Sequence, residues 1–224
     1  PEITCEPLPK FDSKNLENVR RAFQSATPIF LRQTWLNEEE KNFTATVVQT
    51  GWRENSLLVF AELTDADIFN RATRLNQRTW ELGDAFEIFL ASTQNESYVE
   101  LHVTPENRHL QLCFPDANSV ELARKTGNLE NFLIPHDAFF SATWIESENS
   151  RWNVYAEIPA ALVCGKNGFL ENTRWHFSFC RYDHTRGIAE PVISSTSPHA
   201  KADFHRRQDW GAIHFKTRSQ FSQA

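Results

Sequence analysis

Apolar and polar residues alternate along much of the chain from Phe43 onward, which is the pattern of half-buried β-strands. Clusters of turn-forming residues separate these segments, and the first two lie close enough together to predict a β-hairpin. Nine segments predict strands, and in chain order they are FTATVVQT, SLLVFAELTD, DAFEIFLA, SYVELHVTP, RHLQLCFP, SATWIES, RWNVYAEIP, RWHFSFCRYDH and WGAIHFK. Many short strands with little helix between them predict an all-β fold.

The remaining segments set the predicted limits of the domain. Residues 1–29 form an irregular lead-in with a short helical pattern, residues 116–142 form a long excursion with a short helical piece, and residues 217–224 form a C-terminal tail. A long polar loop, EPVISSTSPHAKADFHRRQD, precedes the last strand. We expect one domain over residues 30–216 with the lead-in packed on it. Its predicted fold is an antiparallel β-sandwich of jelly-roll or immunoglobulin-like type with short peripheral helices.

Side chains alternate across a strand, so the pattern also sorts residues onto the two faces of the predicted sheet. In DAFEIFLA the apolar residues Phe86, Ile88 and Leu90 are predicted to face the core, which turns Glu87 to the opposite face. The same rule, applied to the predicted hairpin of SYVELHVTP and RHLQLCFP, places Leu110 with the core residues. It predicts a polar opposite face made of Glu87, Glu100, His102, Thr104, His109 and Gln111. This face is either a solvated surface or the floor of a binding site.

Aromatic residues are abundant, with 18 Phe and 7 Trp, which suits pleated and half-buried surfaces. Two of them stand in polar loops rather than in strands. Trp80 lies in RTWELG, and Phe204 lies among charged residues in KADFHRRQD. Both rings are candidates to contact a ligand, and the alternative for Trp80 is a lid packed on the edge of the sandwich.

Asp65 and Asp67 in LTDADIF are candidates for a calcium site, because hard cations take clustered carboxylates and carbonyls. The alternative is an Asx-turn that closes the strand. No other cofactor is predicted. The cysteines are too scattered for a disulfide framework or a CxxC zinc site, and they are Cys5, Cys113, Cys164 and Cys180. We expect free thiols, with one disulfide bridge as the alternative if the protein is exported.

Charge and hydropathy exclude two classes of partner. The net charge of −6 argues against nucleic acid, because phosphate binding needs a basic face. No apolar run approaches the length of a membrane span, and no signal-peptide pattern follows Pro1. The sequence therefore predicts neither a nucleic-acid nor a membrane partner, and it leaves the cellular compartment open.

Three motifs follow one another along the chain, and they are W-ELG-DAFEIF, RWNVYAEIP and DFHRRQDWGAIHF. In this order they are similar to motifs of the family 9 carbohydrate-binding modules and their DOMON-like relatives. The segment W-ELG-DAFEIF resembles the family's loop tryptophan followed by an Asp-x-x-Glu-aliphatic-Phe strand. RWNVYAEIP resembles a late strand of the family, and DFHRRQDWGAIHF resembles its closing aromatic residues and last strand. The similarity covers roughly residues 30 to 216, and the family fold is a β-sandwich.

The resemblance implies that two loop rings sandwich a sugar above polar residues of the sheet. By position, Trp80 corresponds to the first ring and Phe204 to the second, where sugar-binding members have Trp. Glu87 corresponds to the carboxylate of the floor, His102 stands where those members have Arg, and Thr104 where they have Asn. Histidine cannot supply the bidentate fork of Arg, and Phe offers less stacking area than Trp.

The resulting prediction is a non-catalytic domain that binds a mono- or oligosaccharide, or the end of a polysaccharide. Two alternatives remain open at this point. A glycoside-processing enzyme would use Glu87 and Glu100, which share a face, because such an enzyme needs two carboxylates in one cleft. A protein-interaction or ligand-sensing sandwich would bind no sugar.

Overall fold

Hydrogen-bonded strands make up most of the computed structural model, which describes residues 1–165 and 168–216. The strands are β1 (Glu2–Pro7), β2 (Ile29–Phe30), β3 (Thr46–Arg53), β4 (Ser56–Thr64), β5 (Ala85–Ser92), β6 (Tyr98–Val103), β7 (His109–Phe114), β8 (Phe140–Glu146), β9 (Arg151–Pro159), β10 (Arg174–Asp183), β11 (Val192–Ser195) and β12 (Gly211–Phe215). The α-helices are α1 (Leu16–Phe23), α2 (Ala117–Thr126) and α3 (Ala160–Cys164). The predicted tail, residues 217–224, lies outside the described residues.

The strands pair in one curled sheet, in the order β7-β6-β5-β10-β12-β1-β3-β4-β9-β8, with β11 beside β10 and β2 beside β3. Strand β1 joins two halves of this sheet. Its first part pairs in parallel with β12, and its last two residues pair in parallel with β3. We call β7-β6-β5-β10-β12 with β11 the site sheet, and β3-β4-β9-β8 with β2 the back sheet.

One hydrophobic core fills the space between the two sheets. Phe86, Ile88 and Leu90 from β5 belong to the same buried cluster as Val59 from β4 and Trp152 from β9. This confirms the face predicted for β5, and it makes the fold a mostly β sandwich, as the sequence pattern predicts. The jelly-roll or immunoglobulin-like connectivity stays a prediction.

The outer face of each sheet is also covered. Helix α1 packs Val19 and Phe23 against Phe60 and Tyr155 on the back sheet. On the site sheet, α2 and the chain between β11 and β12 cover a second hydrophobic cluster, which we call the outer cluster. Its buried members include Phe89, Leu112, Phe114, Val120, Phe204 and Trp210. The outer face of the site sheet is therefore a second core rather than a solvated surface.

Three expectations about strands are wrong in part. The lead-in is not irregular throughout, because Glu2–Pro7 forms β1 with Ile3 and Cys5 turned inward. The sandwich is not purely antiparallel, because both pairings of β1 are parallel. The long polar loop before the last strand also contains the short strand β11, which pairs with β10.

Two further properties bear on the sequence predictions. The four cysteines all lie among the described residues and are free thiols. Across residues 1–165 and 168–216, no helix is long and apolar enough to cross a membrane.

Candidate functional site

A cavity of about 320 Å³ lies in the outer cluster, between the site sheet and the segments that cover it. Trp80, Glu87 and Phe204 all line it, so the structure brings together three of the residues singled out from the sequence. Glu100 and His205 add further polar groups. Much of the remaining wall is apolar, and it includes Phe89, Leu112, Phe114, Val120, Leu129 and Ile193.

Helix α2 supplies one wall of the cavity. The Asp116 side chain caps its N-terminus by accepting a hydrogen bond from the Ser119 N–H at 2.8 Å. Gly127 follows its last residue with a φ of 68°, a left-handed conformation that suits glycine at a helix end. Between these ends, Val120 and Ala123 turn towards the outer cluster. The excursion after β7 thus becomes a capped helix whose apolar face closes over the site sheet.

An ion pair joins α2 to the segment that carries Phe204. Arg124 of α2 donates to Asp203 with an Nη2 to Oδ1 distance of 2.6 Å, and both residues line the cavity. The Phe204 side chain is 5 % exposed and packs among rings that include Tyr182 and Phe89, at centroid distances of 5.8 and 6.4 Å. Phe204 is therefore part of the outer cluster as well as part of the cavity wall.

Trp80 lies in a single 3₁₀ turn, Thr79–Glu81, just before β5. Asn70 holds this turn against the strand, because its side-chain amide donates to the carbonyl oxygens of Thr79 and Asp84 at 2.9 and 3.0 Å. The indole is partly buried against the outer cluster, and its edge meets the His102 ring at a centroid distance of 5.7 Å. The ring therefore packs on the sandwich, as the alternative interpretation has it, and also lines the cavity. Its contact with a ligand stays a prediction.

A buried polar cluster, which we call the floor, lies beneath the cavity; Glu87 and Glu100 line the cavity and His102 does not. Glu87, Glu100 and His102 are 2 %, 5 % and 0 % exposed. Nε2 of His102 lies 2.8 Å from an Oε atom of Glu100 and 3.2 Å from one of Glu87. Nδ1 of the same ring lies 2.8 Å from the hydroxyl oxygen of Thr79. Because β5 and β6 pair in register, Glu87 and His102 stand opposite each other on one face.

The three ionisable groups of this floor perturb one another. Burial is the main cause that raises the pKa of Glu87 to about 8. The attraction of His102 lowers this pKa, and repulsion from Glu100 raises it further. Burial alone would raise the pKa of Glu100, but the histidines at 205 and 102 outweigh it and hold that pKa below its usual value. Burial opposes protonation of His102, yet both carboxylates raise its pKa. At neutral pH the raised pKa of about 8 favours a neutral Glu87 carboxyl, beside a Glu100 that its lowered pKa keeps ionised.

Two residues of the site carry no signal in the sequence analysis. His205 places Nε2 3.6 Å from Oε2 of Glu100, and its Nδ1 lies 2.9 Å from the hydroxyl of Tyr98. Oε2 of Glu100 itself is buried and lacks a hydrogen-bond partner. Strand parity could have placed Tyr98 beside Glu100, since the two are separated by one residue. His205 comes from a loop, and only the tertiary structure brings it there.

Other residues expected on the polar face lie elsewhere. Thr104 belongs to the turn after β6, where its hydroxyl accepts the Arg108 N–H at 3.0 Å, and it does not line the cavity. The face assigned to β7 is wrong. Leu112 pairs with Glu100 and shares its face, whereas His109 and Gln111 pair with the inward residues of β6. The residues of β7 alternate as predicted, but α2 covers the face predicted to be polar, and the apolar residues of β7 lie on that covered face.

The acidic residues at 65 and 67 do not form a common set of ligands. Asp65 accepts the Asp67 N–H at 2.8 Å, the Asx-turn that was the alternative, and its carboxylate pairs with buried Arg181 at 3.0 Å. Asp67 pairs instead with Arg186. The carboxylate oxygens of Asp65, Asp84 and Asp183 lie within 4.8 Å of one another. Arg181 adds positive charge to this group, since its guanidinium also lies 3.1 Å from Asp183. Calcium binding by Asp65 and Asp67 stays a prediction.

Comparison with solved structures confirms, at the level of the fold, the resemblance inferred from the motifs. No protein-family model and no curated protein matches the sequence. A candidate carbohydrate-binding protein from Bacteroides uniformis has a TM-score of 0.75 and 15 % identity over 96 % of this chain and 98 % of its own. A family 9 carbohydrate-binding module from Caldicellulosiruptor kristjanssonii, in complexes with cellotriose and with glucose, has a TM-score of 0.67 and 15 % identity in both cases. Those matches cover all of this chain and 98 % and 100 % of the module.

Proposed function

We propose that this chain is a non-catalytic carbohydrate-binding domain that holds a mono- or oligosaccharide in the cavity between helix α2 and the site sheet. The observation that carries the proposal is the combination of the Trp80 and Phe204 rings with the carboxyl groups of Glu87 and Glu100 around one space. A pyranose has apolar C–H faces and a polar rim. Flat rings can bury the faces while carboxyl oxygens accept hydrogen bonds from the hydroxyls.

The size of the cavity sets the size of the ligand. Its volume of about 320 Å³ is near the lower end of the range for small-molecule pockets, about 300–1,000 Å³. A mono- or disaccharide, or the terminal units of a longer chain, suits this volume better than the middle of a polysaccharide chain. The glucose and cellotriose complexes of the family 9 module support the same ligand class.

The expected affinity is modest. If each ring hides about 50–80 Å² of sugar surface, the two rings contribute roughly 2.5–4 kcal/mol at about 25 cal/mol per Å². A charge-assisted hydrogen bond to Glu100 adds about 1.5–3 kcal/mol. After the cost of association, we expect a dissociation constant between about micromolar and millimolar.

The floor geometry disfavours the glycosidase alternative. The closest ligand atoms of Glu87, Glu100 and His102 all lie within 4.8 Å of one another. Retaining and inverting glycosidases hold their two carboxyl groups apart on either side of the scissile bond, at about 5–5.5 Å and about 6.5–9.5 Å. Here His102 contacts both carboxyl groups on one face, which does not favour a role as a pair on either side of a glycosidic bond.

A thermal-shift screen of the chain against mono- and oligosaccharides tests the proposal. Because a ligand stabilises the state that binds it, a bound sugar raises the melting temperature in a concentration-dependent way. The screen should include glucose, xylose, galactose and cello-oligosaccharides, each with and without calcium. Failure of every sugar to change the melting temperature at tens of millimolar, a concentration above the expected dissociation constants, would refute sugar binding and favour the interaction-domain alternative.

A further inference from the structure

The polar floor of the cavity has the composition and spacing of a metal centre. Across the described residues, Glu87, Glu100 and His102 are one of the two sets whose ligand atoms converge closely enough to share an ion. The set combines two carboxylates with one imidazole. The acidic group around Asp65 differs, because it contains no histidine and already has Arg181 as a partner.

The distances within the set fit an ion in its centre. Nε2 of His102 is 2.8 Å from Glu100 and 3.2 Å from Glu87. Oxygen and nitrogen ligands lie about 2.0–2.2 Å from Zn²⁺, which places neighbouring ligands about 2.8–3.6 Å apart in octahedral or tetrahedral geometry. Both separations from Nε2 therefore match those that a bound ion would impose, and the ligand atoms of the two glutamates lie within 4.8 Å of each other.

The hydroxyl of Thr79 fixes the orientation of the imidazole. Its oxygen lies 2.8 Å from Nδ1 of His102, and Thr79 is fully buried. When the hydroxyl oxygen accepts the Nδ1–H, the Nε2 lone pair faces the two carboxylates. Metal-binding histidines commonly have such a partner on the other ring nitrogen, which fixes the tautomer. Thr79 is thus placed as a positioning residue.

One polar atom of the floor is left without a partner. Oε2 of Glu100 is buried and accepts no hydrogen bond, although a buried carboxylate oxygen without a partner is destabilising. Glu100 also lines the cavity, and Nε2 of His205 stands 3.6 Å from this oxygen, beyond hydrogen-bond distance. A bound cation would satisfy this oxygen, which the hydrogen bonds within the cluster do not.

We propose that Glu87, Glu100 and His102 bind one divalent transition-metal ion, with Zn²⁺ as the reference case, at the floor of the cavity. Two carboxylates and a neutral imidazole carry a charge that a divalent cation neutralises, and the protons on Nε2 of His102 and on the Glu87 carboxyl leave to solvent when the ion binds. The imidazole ligand favours Zn²⁺ and its neighbours over Ca²⁺ and Mg²⁺, which prefer oxygen ligands. A coordination position open to the cavity would accept water or a ligand oxygen. The proposal does not rest on sugar binding.

The test is a Zn²⁺ titration of the full chain after removal of metal by a chelator, without sugar. We expect one Zn²⁺ per chain by calorimetry and by elemental analysis after dialysis, with no competition from millimolar Ca²⁺ or Mg²⁺. Co²⁺ in place of Zn²⁺ should give visible d–d absorption that shows nitrogen and oxygen coordination. Glu100→Gln and Glu87→Gln should each weaken Zn²⁺ binding by about 100-fold. Glu62→Gln, which alters a carboxylate of the back sheet paired with Arg20 and Arg151, should leave it unchanged.

Thr79→Val keeps all three ligands, and it tests the site even if the buried glutamate variants do not fold. It should weaken Zn²⁺ binding by about 10–100-fold. Histidine side-chain ¹⁵N spectra of the unaltered chain should show one ring whose Nε2 signal moves on addition of Zn²⁺. The proposal is overturned if the chain retains no more zinc than the dialysis buffer. It is equally overturned if zinc binds with the same affinity to the unaltered chain and to the glutamate and Thr79 variants.

Discussion

The edge of the Trp80 indole meets the imidazole of His102 at a centroid distance of 5.7 Å, which couples a loop residue to the floor of the cavity. This contact explains why a tryptophan stands in a polar loop just before a buried strand. The ring covers the polar floor on one side and faces the cavity on the other. Trp80 therefore contributes to both stability and the proposed binding site.

Trp80→Ala should separate these two contributions. Replacing a fully buried tryptophan by alanine costs about 3–5 kcal/mol, and the partial burial of Trp80 reduces this to about 1–2 kcal/mol. Loss of its stacking surface should weaken sugar binding by about 10-fold or more. Chemical denaturation and sugar titration of the same samples measure both effects. Trp80→Phe is the matched control, and it should retain most of each. Unchanged sugar affinity in Trp80→Ala would remove the ring from the site.

Phe204→Ala should affect stability more than Trp80→Ala does. The Phe204 ring is almost fully buried among Trp35, Tyr182 and Phe89, and the expected loss is about 3–5 kcal/mol. Phe204→Leu retains much of the buried volume and should be milder. Urea denaturation with a common m-value measures the difference. A stability loss in Phe204→Ala below that in Trp80→Ala would contradict the packing described for the outer cluster.

Gly83→Ala should disturb the turn that presents Trp80. Gly83 has a φ of 145°, which side chains rarely adopt, and a Cβ there would overlap the carbonyl oxygen of Phe69. We expect a loss of about 1–3 kcal/mol and a shift of the Trp80 fluorescence. Gly187→Ala is a control with a positive φ of 86° but open space around the Cβ. Equal losses in the two variants would show that backbone strain alone, and not the Phe69 contact, sets the requirement at Gly83.

Stability should fall on the acid side of neutral pH partly through His109. Burial lowers the pKa of His109 and outweighs its partner Asp137, while Arg108 lowers it further. The unfolded chain therefore takes up this proton near pH 6.5, before the folded chain does, and stability declines as the pH falls from there towards the lower folded pKa. One such proton contributes a slope of at most about 1.4 kcal/mol per pH unit.

His109→Asn should reduce that slope, measured as the unfolding free energy between pH 7 and pH 5. His199, whose pKa is also lowered by burial, stays in both proteins and gives a common background. Parallel curves for the variant and the unaltered chain would show that His109 does not contribute.

The inner core was predictable because it depends on local alternation. Phe86, Ile88 and Leu90 alternate with Glu87 within one strand, so they share one face of the sheet. That face packs in the core between the two sheets. The outer cluster was not predictable in the same way. Leu112 alternates just as regularly, but which face is buried depends on α2, which returns over the sheet from a later part of the chain.

The candidate site shows the same division. Glu87 and Glu100 could be placed on one face from strand parity, and Trp80 and Phe204 from the resemblance to a known family. His205 and Arg124 could not, because a loop and a helix bring them to the cavity only in the folded chain. The strand β1 was missed since a short segment between prolines gives a weak pattern, and its pairing partners are distant in sequence.

The most direct test of carbohydrate binding in this cavity is a ¹H–¹⁵N NMR titration with glucose and with cellotriose. Binding between Trp80 and Phe204 predicts saturable shifts of the Trp80 indole N–H and of the amides of Thr79, Glu100 and Phe204. The curves should give a dissociation constant between about micromolar and millimolar. Amide shifts confined to the back sheet, or no saturable shift with either sugar, would contradict the account.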